Sequence, residues 1–396
     1  MITANTLLAL AKLAQETSPQ TPSWLTTPIP PPQNPDRIAQ EAFHQLLTHQ
    51  RPNGSVTGIG WWQLANAYTA IALWNLSSDH GSRAWYDLLS RAIRQCERRQ
   101  RGLINAFNDD SCWWALLCVH MYSFSGEGWF LTQAEGVWRA IRDDGSVCRN
   151  GEVLFKGEDM EGGVFWKRRR SGNGCVNAIS TGLYAELSVR LALVEMKRAR
   201  EGEGEREMVG REYRPRKGMV LDHIDLNKDK RVDWTFTYNT AVALGTCALL
   251  FEATREEEYM ILACHMARRS MNRPGWVEDN GVLTEKGAYG KGNHDPLKDN
   301  DSVGFKSVLI RQLGTLYDVL ERTGCPNSEA QDVKDMIRKF VYINFQSQVE
   351  RNTDGRGRYG PWWNGPFECP TSHSQMAVLD VFAAAQTVKL VGVSEP

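Results

Sequence analysis

The 396-residue chain contains no run approaching eighteen uninterrupted apolar residues, so no membrane-spanning helix is expected. It also lacks a charge excess. Its 46 basic and 47 acidic residues leave a formal net charge of −1, which gives no footprint for nucleic acid or another polyanion and suits a neutral partner. The nine cysteines (Cys96, Cys112, Cys118, Cys148, Cys175, Cys247, Cys264, Cys325 and Cys369) form no CxxC pair, which argues against a zinc or iron–sulfur site. One disulfide among the loop cysteines stays open. His223, His294 and His373 form no metal-spaced pair and no nucleophile triad. Asp225, Asn227 and Asp229 imitate the first ligands of a calcium loop, but Lys230 replaces the required Gly and Phe236 the required Glu. No metal and no cofactor are expected. Met1 to Ala14 has no basic n-region and carries Lys12, so no signal peptide is evident.

Proline is concentrated from Pro19 to Pro35, a segment that cannot be helical and should lie extended after a short leading helix. Residues 1–35 are therefore read as an N-terminal appendage, and 36–396 as one domain. Beyond Pro35 the chain reads as helix after helix, over roughly 36–50, 59–76, 82–99, 109–125, 129–142, 175–195, 203–213, 238–253, 255–270, 303–323, 328–347 and 371–390. Some are apolar on one side, as with Val333, Ile337, Phe340, Val341 and Phe345. Others, notably 109–125 and 238–253, are apolar around most of their circumference, which predicts an inner layer covered by an outer one. Strand-like runs are short and lie near 153–155, 164–166 and 220–224. Long loops at 143–174, 214–237, 271–302 and 348–370 recur between helix pairs, where functional groups tend to sit. An all-α helical barrel with a groove built from these loops is the expected fold.

Against this background one run stands out, Asn108-Asp109-Asp110-Ser111-Cys112-Trp113-Trp114. Neighbouring carboxylates repel, so two acids at the start of a largely apolar helix point to chemistry or cation binding. A pair of acids beside aromatic rings equips a sugar-cleaving site. The competing reading is a cap and an acidic first turn, which helix N-termini favour anyway. A retaining glycosidase places its carboxyls roughly 5–5.5 Å apart, and an inverting one places them farther apart to admit a water. Adjacent residues fit the shorter spacing more easily.

Further blocks follow in order: Gly162-Gly163-Val164-Phe165-Trp166, Asn177-Ala178-Ile179-Ser180, Thr237-Tyr238-Asn239, and Phe305-Lys306 with Arg311. Together with the acid pair they resemble glycoside hydrolase family 76, the α-1,6-mannanase family, over nearly the whole chain. The resemblance implies an (α/α)6 barrel, with Asp109 as nucleophile and Asp110 as general acid/base. It also implies endo-acting hydrolysis or transglycosylation on α-1,6-linked mannan. Fungal members of the family are normally secreted or attached to the cell wall, which the resemblance implies here. The partner would be a mannan-type oligosaccharide or polysaccharide, bound by a monomer.

Candidate substrate contacts are Asn108, Trp114, Trp166, Asn177, Tyr238, Asn239, Lys306, Arg311, Trp362 and Trp363. Each has a plainer reading. Asn177 and Asn239 could cap helices, Trp113 and Trp114 could belong to the core, and Lys306 and Arg311 could form ion pairs. Trp166 is the better stacking candidate because it sits in a loop. The rigid run from Tyr359 to Pro366 could line the groove or close the barrel's end. The chain also departs from the family pattern at Val176, Thr181, Thr240-Ala241 and Ser307. A long amide is lost at Thr240, and with it two donors and an acceptor. Two alternatives therefore remain: a noncatalytic glycan-binding protein, and a hydrolase of the same fold acting on another glycan.

Overall fold

The computed structural model describes residues 22–26, 28, 34–78, 81–168, 174–200, 219–292, 295–298 and 301–389. In chain order the longer helices are α1 (Pro35–Leu47), α2 (Trp61–Ser77), α3 (Arg83–Arg99), α4 (Asn108–Ser125), α5 (Gly128–Asp143) and α6 (Ala178–Arg200). They continue as α7 (Thr237–Thr254), α8 (Glu257–Met271), α9 (Phe305–Thr323), α10 (Ser328–Arg351) and α11 (Ser372–Thr387).

Two kinds of helix arise from two kinds of patterning. In α4 every residue from Ser111 to Met121 is buried, and in α7 every residue from Asn239 to Leu249. Such helices need neighbours on all sides. By contrast α3 buries Trp85, Tyr86, Leu89, Ala92, Ile93 and Cys96, a stripe at spacings of three and four that needs cover on one side only. The packing follows this division. Helices α2, α4, α6, α7, α9 and α11 contact one another in that order, and α11 returns to α2, which closes a ring. Outside it α1 packs on α11, α3 on α2, α5 on α4, α8 on α7, and α10 on both α9 and α11. The molecule is a predominantly helical toroid.

The inner helices share a direction. Trp62 near the start of α2 meets Phe305 at the start of α9 and His373 at the start of α11. Phe305 in turn stacks on Tyr238 of α7. The opposite end, where these helices finish, encloses a cavity of about 1050 Å³.

Short strands decorate the end where the inner helices begin. A hairpin pairs β1 (Leu154–Phe155) with β2 (Glu158–Asp159). A second antiparallel sheet has the order β3 (Cys175–Asn177), β4 (His223–Asp225), β5 (Lys230–Val232), with Val176 opposite Ile224 and Ile224 opposite Arg231. Residues 175–177, expected in a helix, are thus sheet. The helix begins at Ala178, where Asn177 Oδ1 accepts from the Ser180 backbone N–H at 3.1 Å.

The proline-rich segment needs one correction. Ser23–Thr26 form a helical turn directly after Pro22, a position where a missing N–H costs nothing. Its Trp24 is buried against Phe340, with ring centroids 5.6 Å apart. The expected leading helix and the 203–213 helix lie outside the described residues. All nine cysteines are free and seven are buried, so the disulfide left open by the sequence is not formed. The Asp225 loop is a short 3-10 turn whose carboxylate accepts from the Asn227 and Lys228 N–H groups and pairs with the Lys228 ammonium.

Candidate active site

The acid pair is placed by backbone bonds between three segments. Asn108 N–H donates to Trp166 O at 2.9 Å, Asn108 Nδ2 donates to Phe165 O at 2.7 Å, and Trp166 N–H donates to Cys175 O at 2.9 Å. Phe107, in extended conformation, is the N-cap of α4 and offers no side-chain cap. Asp109 and Asp110 therefore fall at the second and third helical positions and do not cap the helix. The strapped 164–166 segment lays the Trp166 indole beside the pair, and its Nε1–H donates to Asp109 Oδ2 at 3.2 Å. Asp110 Oδ2 accepts from Asn105 Nδ2 at 2.6 Å, while Asn105 Oδ1 accepts from the Phe107 N–H at 2.8 Å. Both acids are half-buried.

Burial holds the Asp109 carboxyl well above the ordinary carboxylate range, and the neighbouring charge of Asp110 adds to it. Burial also raises Asp110, helped by the charge of Asp301 and opposed by the Asn105 hydrogen bond. A helix N-terminus normally favours ionised carboxyls; here desolvation and repulsion outweigh it. Asp109 Oδ1 is buried and makes no hydrogen bond among the described residues. The two carboxyls accordingly titrate as a unit, holding a proton further up the pH scale than separate aspartates would.

Around them gather groups the sequence reading did not select, next to Tyr238, which it did. Asp301 faces Asp110 and accepts from Gln63 Nε2 of α2 at 2.9 Å. Asp222 accepts from Asn239 Nδ2 at 3.0 Å and from His223 Nδ1 at 2.8 Å. Tyr238 stands between Asp222, Asp109, Glu285 and Asp301, and burial followed by these four charges raises its phenol. Its ring lies parallel to Phe305, with centroids 4.1 Å apart. Only Asn105 carried a local signal, an Asx turn two residues before Phe107. The others come from distant loops.

The selected residues divide into groove and scaffold. Trp166 is 37% exposed, while Tyr238 and Trp362 are partly open. Trp362 stacks on Tyr289 with centroids 5.1 Å apart. The rest are closed off. Trp114 is fully buried, covered by Trp61 at 4.5 Å, and its Nε1 donates to Trp61 O at 3.2 Å, so no ring face is left for a sugar. Trp363 is 1% exposed. Asn108 Nδ2 donates to Phe165 O, Asn177 Oδ1 accepts at the start of α6, and Asn239 Nδ2 donates to Asp222, while the Oδ1 atoms of Asn108 and Asn239 are buried without a hydrogen bond among the described residues.

Lys306 is buried, with its ammonium on Val303 O at 3.0 Å and over the rings of Tyr289 and Trp363. Burial lowers its pKa, and the nearby Glu285 carboxylate opposes the shift. Glu285 accepts from the Thr237 N–H and Oγ1–H, each at 2.7 Å. It lies behind the floor that carries Tyr238. Arg311 forms a buried bidentate pair with Asp380 and lines the cavity at the far end of the ring. Both were expected to contact substrate; here the partners they show are protein groups, Val303 O and two rings for Lys306, and Asp380 with Asn66 for Arg311. Among the described residues no group of acids, histidines and cysteines could hold a metal ion.

A half-buried pair of carboxyls, one accepting from an indole N–H, near stacked aromatic rings can serve proton transfer and nucleophilic attack at a sugar. The family model for glycosyl hydrolase family 76 matches residues 36–392. No curated protein matches the chain. Among solved structures, an inactive variant of the α-1,6-mannanase of Salegentibacter sp. HEL1_6, altered at two consecutive aspartates and bound to an α-1,6-linked mannotetraose, superposes with a TM-score of 0.71. It is 19% identical, and the match covers 90% of this chain and 100% of that one. The Lin0763 protein of Listeria innocua gives 0.68 at 20% identity, covering 90% and 98%. Dfg5 of Chaetomium thermophilum, in complex with glucosamine, gives 0.66 at 16% identity, covering 90% and 92%. At such identities the structures establish a shared fold, a helical toroid of the six-hairpin glycosidase type.

Proposed function

The chain belongs to glycosyl hydrolase family 76, and we propose from that premise that it is a retaining, endo-acting hydrolase or transglycosylase of α-1,6-linked mannan. The observation that carries the reading is the Asp109–Asp110 pair, partly open at the end where the inner helices begin and touched by the Trp166 indole. The solved relative that binds an α-1,6-linked mannotetraose was inactivated at two consecutive aspartates, which supports giving the same task to this pair. The ring of six helices is taken as the inner layer of an (α/α)6 barrel, and residues 36–396 as one catalytic domain. The protein is taken to act as a monomer, secreted or associated with the cell wall. Burial of seven thiols shields them from an oxidising compartment.

In this mechanism Asp109 attacks the anomeric carbon as a carboxylate while Asp110 gives its proton to the departing glycosidic oxygen. One C–O bond forms as the other breaks, leaving a glycosyl ester on Asp109. Asp110, now ionised, takes a proton from water or from a sugar hydroxyl, whose oxygen displaces Asp109 with net retention. Burial makes both carboxyls resist ionisation, Asp109 more than Asp110. Positive charge developing on the sugar favours the Asp109 carboxylate, which leaves the shared proton with Asp110. Asp222 and Asp301 are suited to accept from sugar hydroxyls, and Tyr238 and Trp166 to cover an apolar sugar face.

The deciding experiment incubates the purified protein with glycans of defined linkage and follows products by mass spectrometry. Cleavage or transfer confined to α-1,6-mannosyl substrates is expected. Turnover of a different linkage alone would move the protein to another substrate, and binding without turnover across a wide pH range would make it a glycan-binding protein.

The pair also fixes the pH response. With both carboxyls raised, a reaction needing one shared proton peaks above the ordinary carboxylate range and falls on either side. Removing the charge of Asp301 by Asp301→Asn takes away one cause of the raised Asp110. The alkaline limb of kcat/KM should therefore move to lower pH. An unmoved limb would detach Asp301 from the pair.

A further inference from the structure

The strap leading into α7 reads Trp234-Thr235-Phe236-Thr237-Tyr238, aromatic and threonine in strict alternation. In extended chain such a period of two sends alternate side chains to opposite sides, and Phe236 has extended torsions (φ −109°, ψ 149°). Both threonines are held by partners in the body of the molecule. Thr235 Oγ1 accepts from Arg273 at 2.7 Å, and Thr237 Oγ1 donates to Glu285 at 2.7 Å. The aromatic residues form a continuous row instead. Trp234 meets Phe236 at 6.1 Å, and Phe236 meets Phe305 at 5.3 Å and Tyr238 at 6.0 Å. Phe305 continues to Trp62 at 6.3 Å. Phe236, Tyr238, Phe305 and Trp62 are each half-buried, with part of each ring left open.

Trp234 itself is 64% exposed. Leaving that much of an indole in water forgoes the burial that large aromatic side chains usually supply. Among the described residues only five large hydrophobic side chains are exposed, and two of them are tryptophans, Trp166 and Trp234. Trp166 bonds Asp109; Trp234 ends the row that begins at Tyr238, beside the same acid. Both exposed indoles thus connect to Asp109, Trp166 directly and Trp234 through the row that ends at Tyr238. An adjacent ion pair, Arg231–Asp233 at 2.7 Å, keeps the strap's other neighbours polar, so the patch is a narrow aromatic strip and no broad apolar face.

We propose that Trp234 is a distal sugar-binding platform, with its indole stacking on a hexosyl residue of the bound chain several units away from the bond that is cleaved. Fixed by Thr235 and Thr237, the strap presents the row as a preformed floor along which a neutral glycan lies with its apolar faces down. The platform makes the protein sensitive to the length of its substrate. This inference rests on the proposed glycan-cleaving function.

The test uses the full chain and an α-1,6-linked mannooligosaccharide series of increasing length. Trp234→Ala is expected to raise KM for the longer oligosaccharides by roughly tenfold, the upper range of a single aromatic contact. Little change is expected in kcat, or in KM for the shortest cleaved member, and Trp234→Phe should restore part of the loss. A defect equal at every length, or none at any length, would overturn the platform while leaving the cleavage reading intact. If the unsubstituted protein cleaves none of the series, the functional reading fails. Calorimetric titration of the same oligosaccharides into Trp234→Ala and unsubstituted protein then decides the platform alone, length-dependent weakening supporting it and equal affinity overturning it.

Discussion

Asp109→Asn is expected to lower turnover by more than ~10⁴-fold, because a neutral amide replaces the anionic carboxylate that forms the covalent bond. Asp110→Asn should cost less, about 10²–10⁴-fold, since general acid assistance is what is lost. That loss should shrink with substrates whose leaving group departs without a proton. The two variants are thereby separable: good leaving groups rescue the first step of Asp110→Asn and leave Asp109→Asn inactive. Rates with activated and natural glycosides decide the assignment. Rescue of the Asp109 variant instead would exchange the two roles.

Stability should move the other way. The Asp109 carboxyl is raised in the folded protein, by burial and then by Asp110. Ionising it therefore costs the native state, and the cost grows as pH rises above the unfolded carboxyl's range toward the folded value. Asp109→Asn removes that cost. Its Tm should exceed that of the unsubstituted protein near neutrality, with the difference closing as pH falls into the ordinary carboxylate range. A thermally weaker Asp109→Asn at neutral pH would mean that the carboxylate is structurally required.

How much of this was legible beforehand depended on the distance over which each fact is decided. The inner and outer layers were visible because burial on all sides leaves a signature within one helix, as in 109–125 and 238–253. The acid pair was visible because two adjacent carboxyls before an apolar run repel each other, although an acidic first turn alone would also favour them. The surroundings of Lys306 and Arg311 were not legible for a definite reason. Their partners, Glu285 and Asp380, lie on other elements, and nothing in the local sequence distinguishes a buried cation from one facing a groove. Trp114 failed similarly: spacing placed it near the pair, but only the approach of Trp61 from α2 closes its face. Cys175–Asn177 became strand because two neighbouring segments offered it hydrogen bonds, and three residues are too few to show a period. The alternation from Trp234 to Tyr238 was present in the sequence. It was overshadowed by the apolar helix that follows, and its meaning depends on Arg273 and Glu285 holding the two threonines.

Arg311→Ala is the substitution expected to damage the fold most. Arg311 is 6% exposed, and Asp380 is fully buried. Two bonds of 2.8 Å join them, and Arg311 also donates to Asn66 Oδ1 at 2.5 Å and Asn66 O at 3.2 Å. One side chain thus ties α9 to α11 and α2, three members of the ring. Truncation would strand the Asp380 carboxylate in a site where burial already opposes its charge. Breaking one side of such a pair costs about 3–5 kcal/mol. The pair as a whole is worth far less against apolar residues of similar volume, because its desolvation offsets most of its attraction. Arg311→Met combined with Asp380→Leu should therefore recover much of the stability lost in Arg311→Ala, and a denaturation cycle over the single and double variants measures the coupling. The same double variant separates scaffold from substrate contact. Arg311 borders the cavity at the far end of the ring, so KM for short glycans should stay near that of the unsubstituted protein once folding is restored. A well-folded double variant with a KM raised tenfold would return Arg311 to the groove.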